Sequence, residues 1–151
     1  MNTTAEQVWN TYGYVRLSRE DGDKEESNSV TGQKDLIRDY MARHPELREC
    51  GMKVDDGYTG SNFDRPAFQE MMAEVKAGRV NCIVVKDLSR FGRDHLGVGE
   101  YLEQLFPFLG VRFIAINDNY DSLHSNAESD ELVIPFKNLI NEAYCRDTSV
   151  K

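Results

Sequence analysis

Short apolar runs rich in aromatic and β-branched residues recur along the chain, and each is followed by a polar or an amphipathic stretch. Runs of this kind, bounded by turn residues, are typical of β-strands. Four of them are predicted to be strands: Tyr12–Ser18, Gly51–Asp55, Val80–Val85 and Val111–Ile116. The third, VNCIVV, is almost entirely apolar, which indicates a strand that is buried on both faces.

Between these strands, apolar residues recur at the three- and four-residue spacing of one helix face. The first helix is predicted over Ser29–Arg43, and the second begins at Pro66. A third helix follows the third strand and is expected to stop or bend at Pro107, since proline cannot donate a helical hydrogen bond. The last helix begins near Glu131 and is still in progress at Lys151.

Strands that alternate with helices indicate βαβ units, so the chain is predicted to fold as an α/β domain. We expect a mostly parallel sheet of four to five strands with helices on both faces. The polar stretches Arg19–Asn28 and Asn117–Asp130 are predicted to be loops. Asp55–Arg65 is too long for a simple turn, and such loops are often functional. The helical pattern that continues to Lys151 predicts that this is the N-terminal part of a longer protein.

Composition excludes several classes of protein. A length of 151 residues fits one domain, and the net charge of −8 disfavours tight DNA or membrane binding by this region as a whole. No apolar run approaches the roughly 20 residues of a membrane helix, and the N-terminus is not a signal peptide. Cys50, Cys82 and Cys145 have no CxxC spacing, and the histidines no HxxxH spacing. These patterns exclude a disulfide framework and the common zinc motifs, and they favour the cytoplasm.

The residues with the clearest chemical meaning lie where predicted strands end. Arg16 and Ser18 are two residues apart at the end of the first strand, so their side chains point to the same side. Arg65 closes the loop after the second strand, and Arg90 and Arg93 follow the third. Because ligands of open α/β sheets bind at the carboxyl ends of the strands, these five residues are predicted to lie together at the carboxyl edge of the sheet.

Several arginines around one point can hold a phosphate and offset the charge that develops on it. Positive charge also activates a neighbouring serine hydroxyl as a nucleophile. Simpler interpretations stay open, since an arginine at a strand end is more often a surface residue and a serine there more often a cap. The chain has no GxSxG, GxxxxGK[ST] or GxGxxG motif, which disfavours an α/β hydrolase, a P-loop and a Rossmann dinucleotide site.

Five segments match a known family in order and with compatible spacing: YGYVRLS, SNSVTGQ, DDGYTGSNFDRPAFQEMM, IVVKDLSRFGRD and FKNLINEAYCRDTS. In these segments the chain resembles the catalytic domain of serine site-specific recombinases, most of all the large transposases and integrases of mobile elements. The resemblance extends from about Tyr12 to the C-terminus. It implies an N-terminal extension over residues 1–11, a resolvase-like catalytic domain over 12–130 and the start of a long oligomerisation helix over 131–151.

The resemblance also implies a role for individual residues. Arg146 matches an arginine near the start of the long helix. Small resolvases have an aspartate where this chain has Ser89, and large members often have serine, so we interpret the difference as subgroup identity and expect no carboxylate role there. The implied site consists of Ser18 as nucleophile, Arg16, Arg65, Arg90 and Arg93 for phosphate binding and transition-state charge, and Gln33 as an assisting residue.

The implied reaction is DNA cleavage by transesterification. Ser18 attacks a backbone phosphate, which leaves a 5′-phosphoserine link and a free 3′-hydroxyl, and the hydroxyl of a new partner strand reverses the step. The bond energy stays in the phosphoester, so no ATP, metal or other cofactor is expected. The expected partners are double-stranded DNA, bound mainly through C-terminal domains outside this chain, and further copies of the protein in a dimer or tetramer.

Three alternatives stay open from the sequence. A catalytically inactive assembly module would share the fold and the pattern of strands and helices. A phosphate- or nucleotide-binding α/β domain without any role on DNA would use the same arginines. A metal-dependent nuclease would need a set of closely spaced carboxylate and histidine ligands, and the sequence contains no motif of that kind.

Overall fold

The computed structural model describes residues 7–18 and 29–125, and the structural statements below refer to them. Their five strands form one sheet in the order β2-β1-β3-β4-β5. Strands β1 to β4 run parallel to one another, and β5 runs antiparallel to β4. The predicted α/β fold with a mostly parallel sheet is confirmed. The strands are β1 (Trp9–Leu17), β2 (Leu47–Asp56), β3 (Cys82–Val85), β4 (Arg112–Ala115) and β5 (Tyr120–Asp121).

Helices lie on both faces of the sheet. The hydroxyl of Ser29 caps α1 by accepting a hydrogen bond from the Gly32 N–H at 2.9 Å, and Pro66 is the first residue of α2. None of the helices described is long and apolar enough to cross a membrane. The helices are α1 (Val30–Ala42), α2 (Pro66–Lys76), α3 (Leu88–Phe91), α4 (His95–Glu100), α5 (Phe106–Leu109) and α6 (Ser122–Ser125).

The core has two layers because successive strand residues point to opposite faces of the sheet. In β3, Ile83 and Val85 face α2 to α5, whereas Cys82 and Val84 face α1. The side of α2 to α5 is the more aromatic, and its rings pack edge-to-face at centroid distances of 5.0 to 5.8 Å. This aromatic layer reaches the carboxyl ends of the strands.

Two strands are longer than predicted. β1 begins at Trp9, because residues 9–11 pair with the start of β2, and β2 covers ten residues. β2 lies at the edge of the sheet, and Arg48, Glu49 and Cys50 are exposed there. A solvated edge has no apolar alternation, so the pattern revealed only the second half of this strand.

The helix that contains Pro107 does not stop at this residue. Residues Tyr101–Leu105 form a π-helical turn, in which the Phe106 N–H bonds the Tyr101 carbonyl five residues back. The helix then continues as α5 to Leu109. Proline cannot donate the next α-helical bond, and the wider turn before it lets the chain continue past that position.

The prediction of a loop over Asn117–Asp130 is wrong for its first part. A 3₁₀ turn, β5 and α6 follow β4 here, and the turn is completed by Asn119 in the left-handed conformation at φ 54°. The polar side chains serve the sheet, since the Ser122 hydroxyl accepts from the Phe113 N–H at 2.9 Å. The predicted loop Arg19–Asn28, residues 126–130 and the helix from Glu131 onward, with Arg146, lie outside the described residues.

Candidate active site

Several segments meet at the carboxyl edge of the sheet because β1 lies between β2 and β3. Ser18 directly follows β1, residues 57–65 join β2 to α2, and residues 86–94 join β3 to α4. The first turn of α1 lies at the same edge, since Gln33 contacts the end of β1. The ends of parallel strands are where an open α/β sheet leaves a crevice, and this is where the candidate residues come together.

Arg16 is fully buried and holds two of these loops against β1. Its guanidinium donates hydrogen bonds to the carbonyl oxygens of Ser89 at 2.7 Å, Tyr58 at 3.1 Å and Arg90 at 3.3 Å. Burying a guanidinium without partners would be very costly, and backbone carbonyls here satisfy it. The arginine therefore joins the loop after β2 to the loop after β3.

Arg90 in turn binds the backbone of Arg16. Its Nη1 donates to the carbonyl oxygen of Arg16 at 2.9 Å, so each of the two arginines donates to the other's backbone. The same carbonyl accepts a hydrogen bond from the Gln33 Nε2 at 3.0 Å. Both side chains are buried. The backbone two residues before Ser18 is thereby fixed from α1 and from α3 at once.

A carboxylate does lie beside Arg90, but it comes from Asp87 and not from position 89. The Ser89 hydroxyl donates to the Asp87 carboxylate at 2.6 Å, and that carboxylate lies 3.9 Å from the Arg90 Nε. Asp87 also caps α3 by accepting from the Arg90 N–H. Asp87 was not predicted to belong to the site, although an aspartate directly before a short helix is a typical capping signal.

Gly60 allows the loop after β2 to pack flat on Arg16. A Cβ atom at Gly60 would lie 2.8 Å from the Cζ and Nη2 atoms of Arg16. The Gly60 carbonyl in turn accepts a hydrogen bond from the Arg93 N–H at 2.7 Å. A larger residue at position 60 would displace either the loop or the guanidinium, so this close approach requires glycine.

Arg65 is also buried, with 1% of its surface exposed. Its Nε donates to the Asn62 carbonyl at 2.9 Å and its Nη2 to the Phe91 carbonyl at 2.9 Å. Its Nη1 donates to the Tyr14 hydroxyl at 3.0 Å. The guanidinium lies among aromatic rings, with centroid distances of 4.9 Å to Phe63 and 5.0 Å to Phe68.

Asp55, at the end of β2, completes this arrangement. Its carboxylate accepts from the Tyr14 hydroxyl at 2.7 Å and from the N–H groups of Ala67 and Phe68 at 2.9 Å each. It thus caps α2 from outside the helix, while Arg65, the residue at the cap position, makes no side-chain cap bond. Burial raises the pKa of Tyr14, and the hydrogen bond to Asp55 adds to this against the opposing charge of Arg65.

Tyr14 and Asp55 were not predicted to belong to the site. Tyr14 has the aromatic character of a core strand residue, and nothing in the sequence shows that its hydroxyl joins two charged groups. A weak signal was available for Asp55, because an aspartate at a strand end is a plausible partner for a helix that begins at Pro66 without a capping side chain.

Ser18 and Arg93 complete the predicted set. Ser18 is 3% exposed, directly after the residue that ends β1. Arg93 is half-buried, which makes its side chain the most accessible of the four arginines. The described residues contain no group of three or more His, Cys, Asp and Glu side chains that could hold a metal ion.

Comparisons with known proteins identify the family. The family model described as "Resolvase, N terminal domain" matches residues 11–150. The transposon Tn917 resolvase of Enterococcus faecalis is 29% identical over 111 residues, which cover 74% of this chain and 51% of that protein. The chain thus spans about half the length of this curated relative.

Two solved structures share the fold. The N-terminal catalytic domain of TP901-1 integrase has a TM-score of 0.71 at 20% identity, covering 92% of this chain and 98% of that one. A resolvase family site-specific recombinase from Streptococcus pneumoniae has a TM-score of 0.65 at 26% identity, covering 94% and 91%. The resemblance to serine recombinases is confirmed, and the chain belongs to the resolvase family as a serine recombinase catalytic domain.

Proposed function

We propose that this chain cleaves and rejoins DNA strands by transesterification, with Ser18 as the nucleophile. The observation that carries the proposal is the junction at the end of β1. There the guanidinium groups of Arg16 and Arg90 each donate to the other's backbone carbonyl, two residues before Ser18. A serine two residues after a backbone carbonyl bound by a buried guanidinium, at the carboxyl edge of an α/β sheet, suits attack on a phosphodiester.

In the proposed step, the Ser18 Oγ attacks the phosphorus atom and its proton passes to solvent or to a neighbouring base. The bond from phosphorus to the 3′-oxygen breaks, and this oxygen leaves as a 3′-hydroxyl after taking up a proton. The 5′-phosphate stays on Ser18 as a phosphodiester. Attack by a 3′-hydroxyl then reverses the step, so each transfer forms one phosphoester bond and breaks one, and no nucleotide needs to be hydrolysed.

Arg16, Arg90 and Arg93 offset the negative charge that accumulates on the phosphoryl oxygens in the transition state. Arginine is suited to this because it stays protonated and has a planar fork of donors. In a site closed to water, such charges act more strongly than on the surface. Gln33 assists indirectly, because its amide holds the Arg16 carbonyl and with it the strand end that leads to Ser18.

The proposed partners are double-stranded DNA and further copies of the protein. A domain with a net charge of −8 gains little from the release of phosphate counterions, which dominates non-specific DNA affinity. We therefore propose that the DNA is held mainly by other parts of the assembled recombinase. Strand exchange between two duplexes requires at least two active sites for each, which is consistent with a tetramer.

The test is to trap the covalent intermediate. The chain is fused to a DNA-binding module of known sequence and incubated with duplexes in which that site flanks a randomised centre. After denaturation, covalent protein–DNA species are isolated, and mass spectrometry locates the nucleotide on the protein. We expect a phosphonucleotide on Ser18 and a free 3′-hydroxyl on the released strand.

Matched variants decide the outcome. Ser18→Ala should abolish the adduct, whereas Ser61→Ala, in an exposed serine of the neighbouring loop, should leave it unchanged. Adduct formation by Ser18→Ala, or a nucleotide attached elsewhere, would contradict the proposal. A wild-type chain that binds the duplexes and never forms an adduct would favour the inactive assembly module.

A further inference from the structure

Arg65 is enclosed by hydrogen-bond acceptors and aromatic rings of the protein. It is 1% exposed, and each of its three side-chain nitrogens donates a hydrogen bond within the protein. Phe63, Phe68 and Tyr14 lie around the guanidinium at centroid distances of 4.9, 5.0 and 5.8 Å. A phosphate could reach this group only by displacing the aromatic rings that pack around it.

A carboxylate compensates the charge of Arg65 through an intervening hydroxyl. The Tyr14 hydroxyl accepts from the Arg65 Nη1 at 3.0 Å and donates to the Asp55 carboxylate at 2.7 Å. This carboxylate is also fixed by two N–H groups at the start of α2. Buried charges require such partners, and here the three side chains come from β1, from β2 and from the loop before α2.

The remaining contact of Arg65 leads to the proposed catalytic loop. Its Nη2 donates to the carbonyl of Phe91, which directly follows Arg90 and lies two residues before Arg93. Phe91 is itself fully buried in the aromatic layer. Arg65 thus connects the start of α2 with the segment that carries Arg90 and Arg93.

We infer that Arg65 is a positioning residue that places Arg90 and Arg93 through the Phe91 carbonyl, and that Asp55 holds Arg65 in place through Tyr14. In this arrangement Arg65 makes no contact with the substrate phosphate. The inference rests on the proposed function only in naming Arg90 and Arg93 as groups that act on DNA. The geometry of Arg65 itself can be tested without any reaction.

The first experiment uses the wild-type chain and needs no variant. NMR spectra that resolve the arginine Nε–Hε groups are recorded during titration with inorganic phosphate and then with a short DNA duplex. We expect the Arg65 signal to exchange slowly with solvent and to stay unshifted at saturation, because the group is enclosed. Fast exchange, or a saturable shift of the Arg65 signal with either probe, would overturn the inference.

The second experiment separates position from charge in the fused chain. Arg65→Lys keeps the charge but loses the planar fork, and Arg65→Gln loses both. A positioning role predicts that both variants lower the rate of covalent adduct formation at least tenfold. It also predicts that the slope of log affinity for DNA against log salt concentration is the same in both variants as in the wild type. A near-normal rate for Arg65→Lys, or a slope reduced by about one in Arg65→Gln, indicates a phosphate contact instead.

Asp55→Asn provides an independent variant on the far side of Tyr14, with Asp35→Asn, an exposed carboxylate on α1, as its matched control. We expect Asp55→Asn to lower the adduct rate as Arg65→Lys does and to shift the amide signals of residues 89–93, while the control changes neither. Unchanged signals in residues 89–93 would contradict the inference. If the wild-type chain forms no adduct, the proposed function fails, whereas the NMR titration still decides whether Arg65 is enclosed.

Discussion

Arg65 and Arg112 are both buried, yet they are compensated in different ways at opposite ends of the sheet. Arg112 begins β4, and its guanidinium makes two hydrogen bonds to the Asp121 carboxylate, at 2.7 and 3.0 Å. Its Nη1 lies 3.3 Å from the Glu46 carboxylate. Arg65, at the carboxyl edge, donates to two carbonyls and one hydroxyl, and its carboxylate partner lies beyond that hydroxyl.

The difference separates two uses of a buried arginine. Around Arg112 two carboxylates cancel the positive charge locally, which suits a group that only joins β4, β5 and the start of β2. At the carboxyl edge, carbonyl oxygens accept the hydrogen bonds of Arg16, and two carbonyls and the Tyr14 hydroxyl accept those of Arg65, whose carboxylate partner lies one hydrogen bond further away. Positive potential that is not cancelled on the spot can act on a phosphate nearby.

The largest effect on stability is expected at the ion pair between Arg112 and Asp121. Arg112→Met should lower the free energy of unfolding by about 3–5 kcal/mol, because the partly buried Asp121 carboxylate loses both charge-assisted hydrogen bonds from the guanidinium. Urea unfolding followed by circular dichroism measures this loss. Arg38→Met, which removes an exposed partner of Glu49 on the other side of β2, is the control and should change little. A loss below 1 kcal/mol for Arg112→Met would show that this pair is solvated.

Arg65→Met should be less destabilising, by about 2 kcal/mol, although the side chain is buried more deeply. Its partners are three neutral oxygens, and Asp55 keeps three hydrogen bonds of its own, so the substitution leaves no carboxylate without donors. The same urea titration makes the comparison with Arg112→Met. If Arg65→Met proves the more destabilising of the two, local charge compensation does not distinguish these sites.

Gly60→Ala tests the contact between the loop after β2 and Arg16. The added Cβ would lie 2.8 Å from the guanidinium carbon, so we expect a loss of about 1–2 kcal/mol from overpacking. Covalent adduct formation should fall as well, because Arg16 would be displaced. Gly99→Ala in α4, where a Cβ meets no atom within 4 Å, is the matched control and should leave the adduct rate unchanged. An unaltered melting temperature for Gly60→Ala would show that the loop does not rest on Arg16.

The sequence predicted the edge of the sheet at which the candidate residues meet, because the ends of the strands follow from periodicity and the βαβ rule makes the strands parallel. It predicted neither β5 nor the surroundings of Arg65. β5 is two residues long and polar, so no periodic signal exists for it. The environment of Arg65 depends on Tyr14 and Phe91, which are distant in sequence and come together only when the aromatic layer packs. Local sequence patterns therefore predict at which edge of the sheet an arginine lies, whereas the groups around its side chain depend on tertiary packing.

The effect that is smallest at neutral pH and grows only in alkali concerns two weak acids, one buried at each end of the sheet. Burial raises the pKa of Cys82, near Arg112, from 9.0 to about 12, and it raises the pKa of Tyr14, beside Arg65, above 10.0. Between pH 9 and 12 the unfolded chain has released the Cys82 proton and the folded chain still holds it. Stability should therefore fall as pH rises, by up to about 1.4 kcal/mol per pH unit for each such proton.

Cys82→Ala should flatten this decline from pH 9 upward, and Tyr14→Phe should flatten it only above pH 10, because the unfolded tyrosine begins to ionise there. Urea unfolding at a series of pH values measures both slopes. Cys50→Ala, which removes an exposed thiol on β2, is the matched control. Identical slopes of stability against pH for Cys82→Ala and the wild type would mean that water reaches the thiol beside Arg112. The end of the sheet with the Arg112–Asp121 pair would then be more solvated than the end with Arg65.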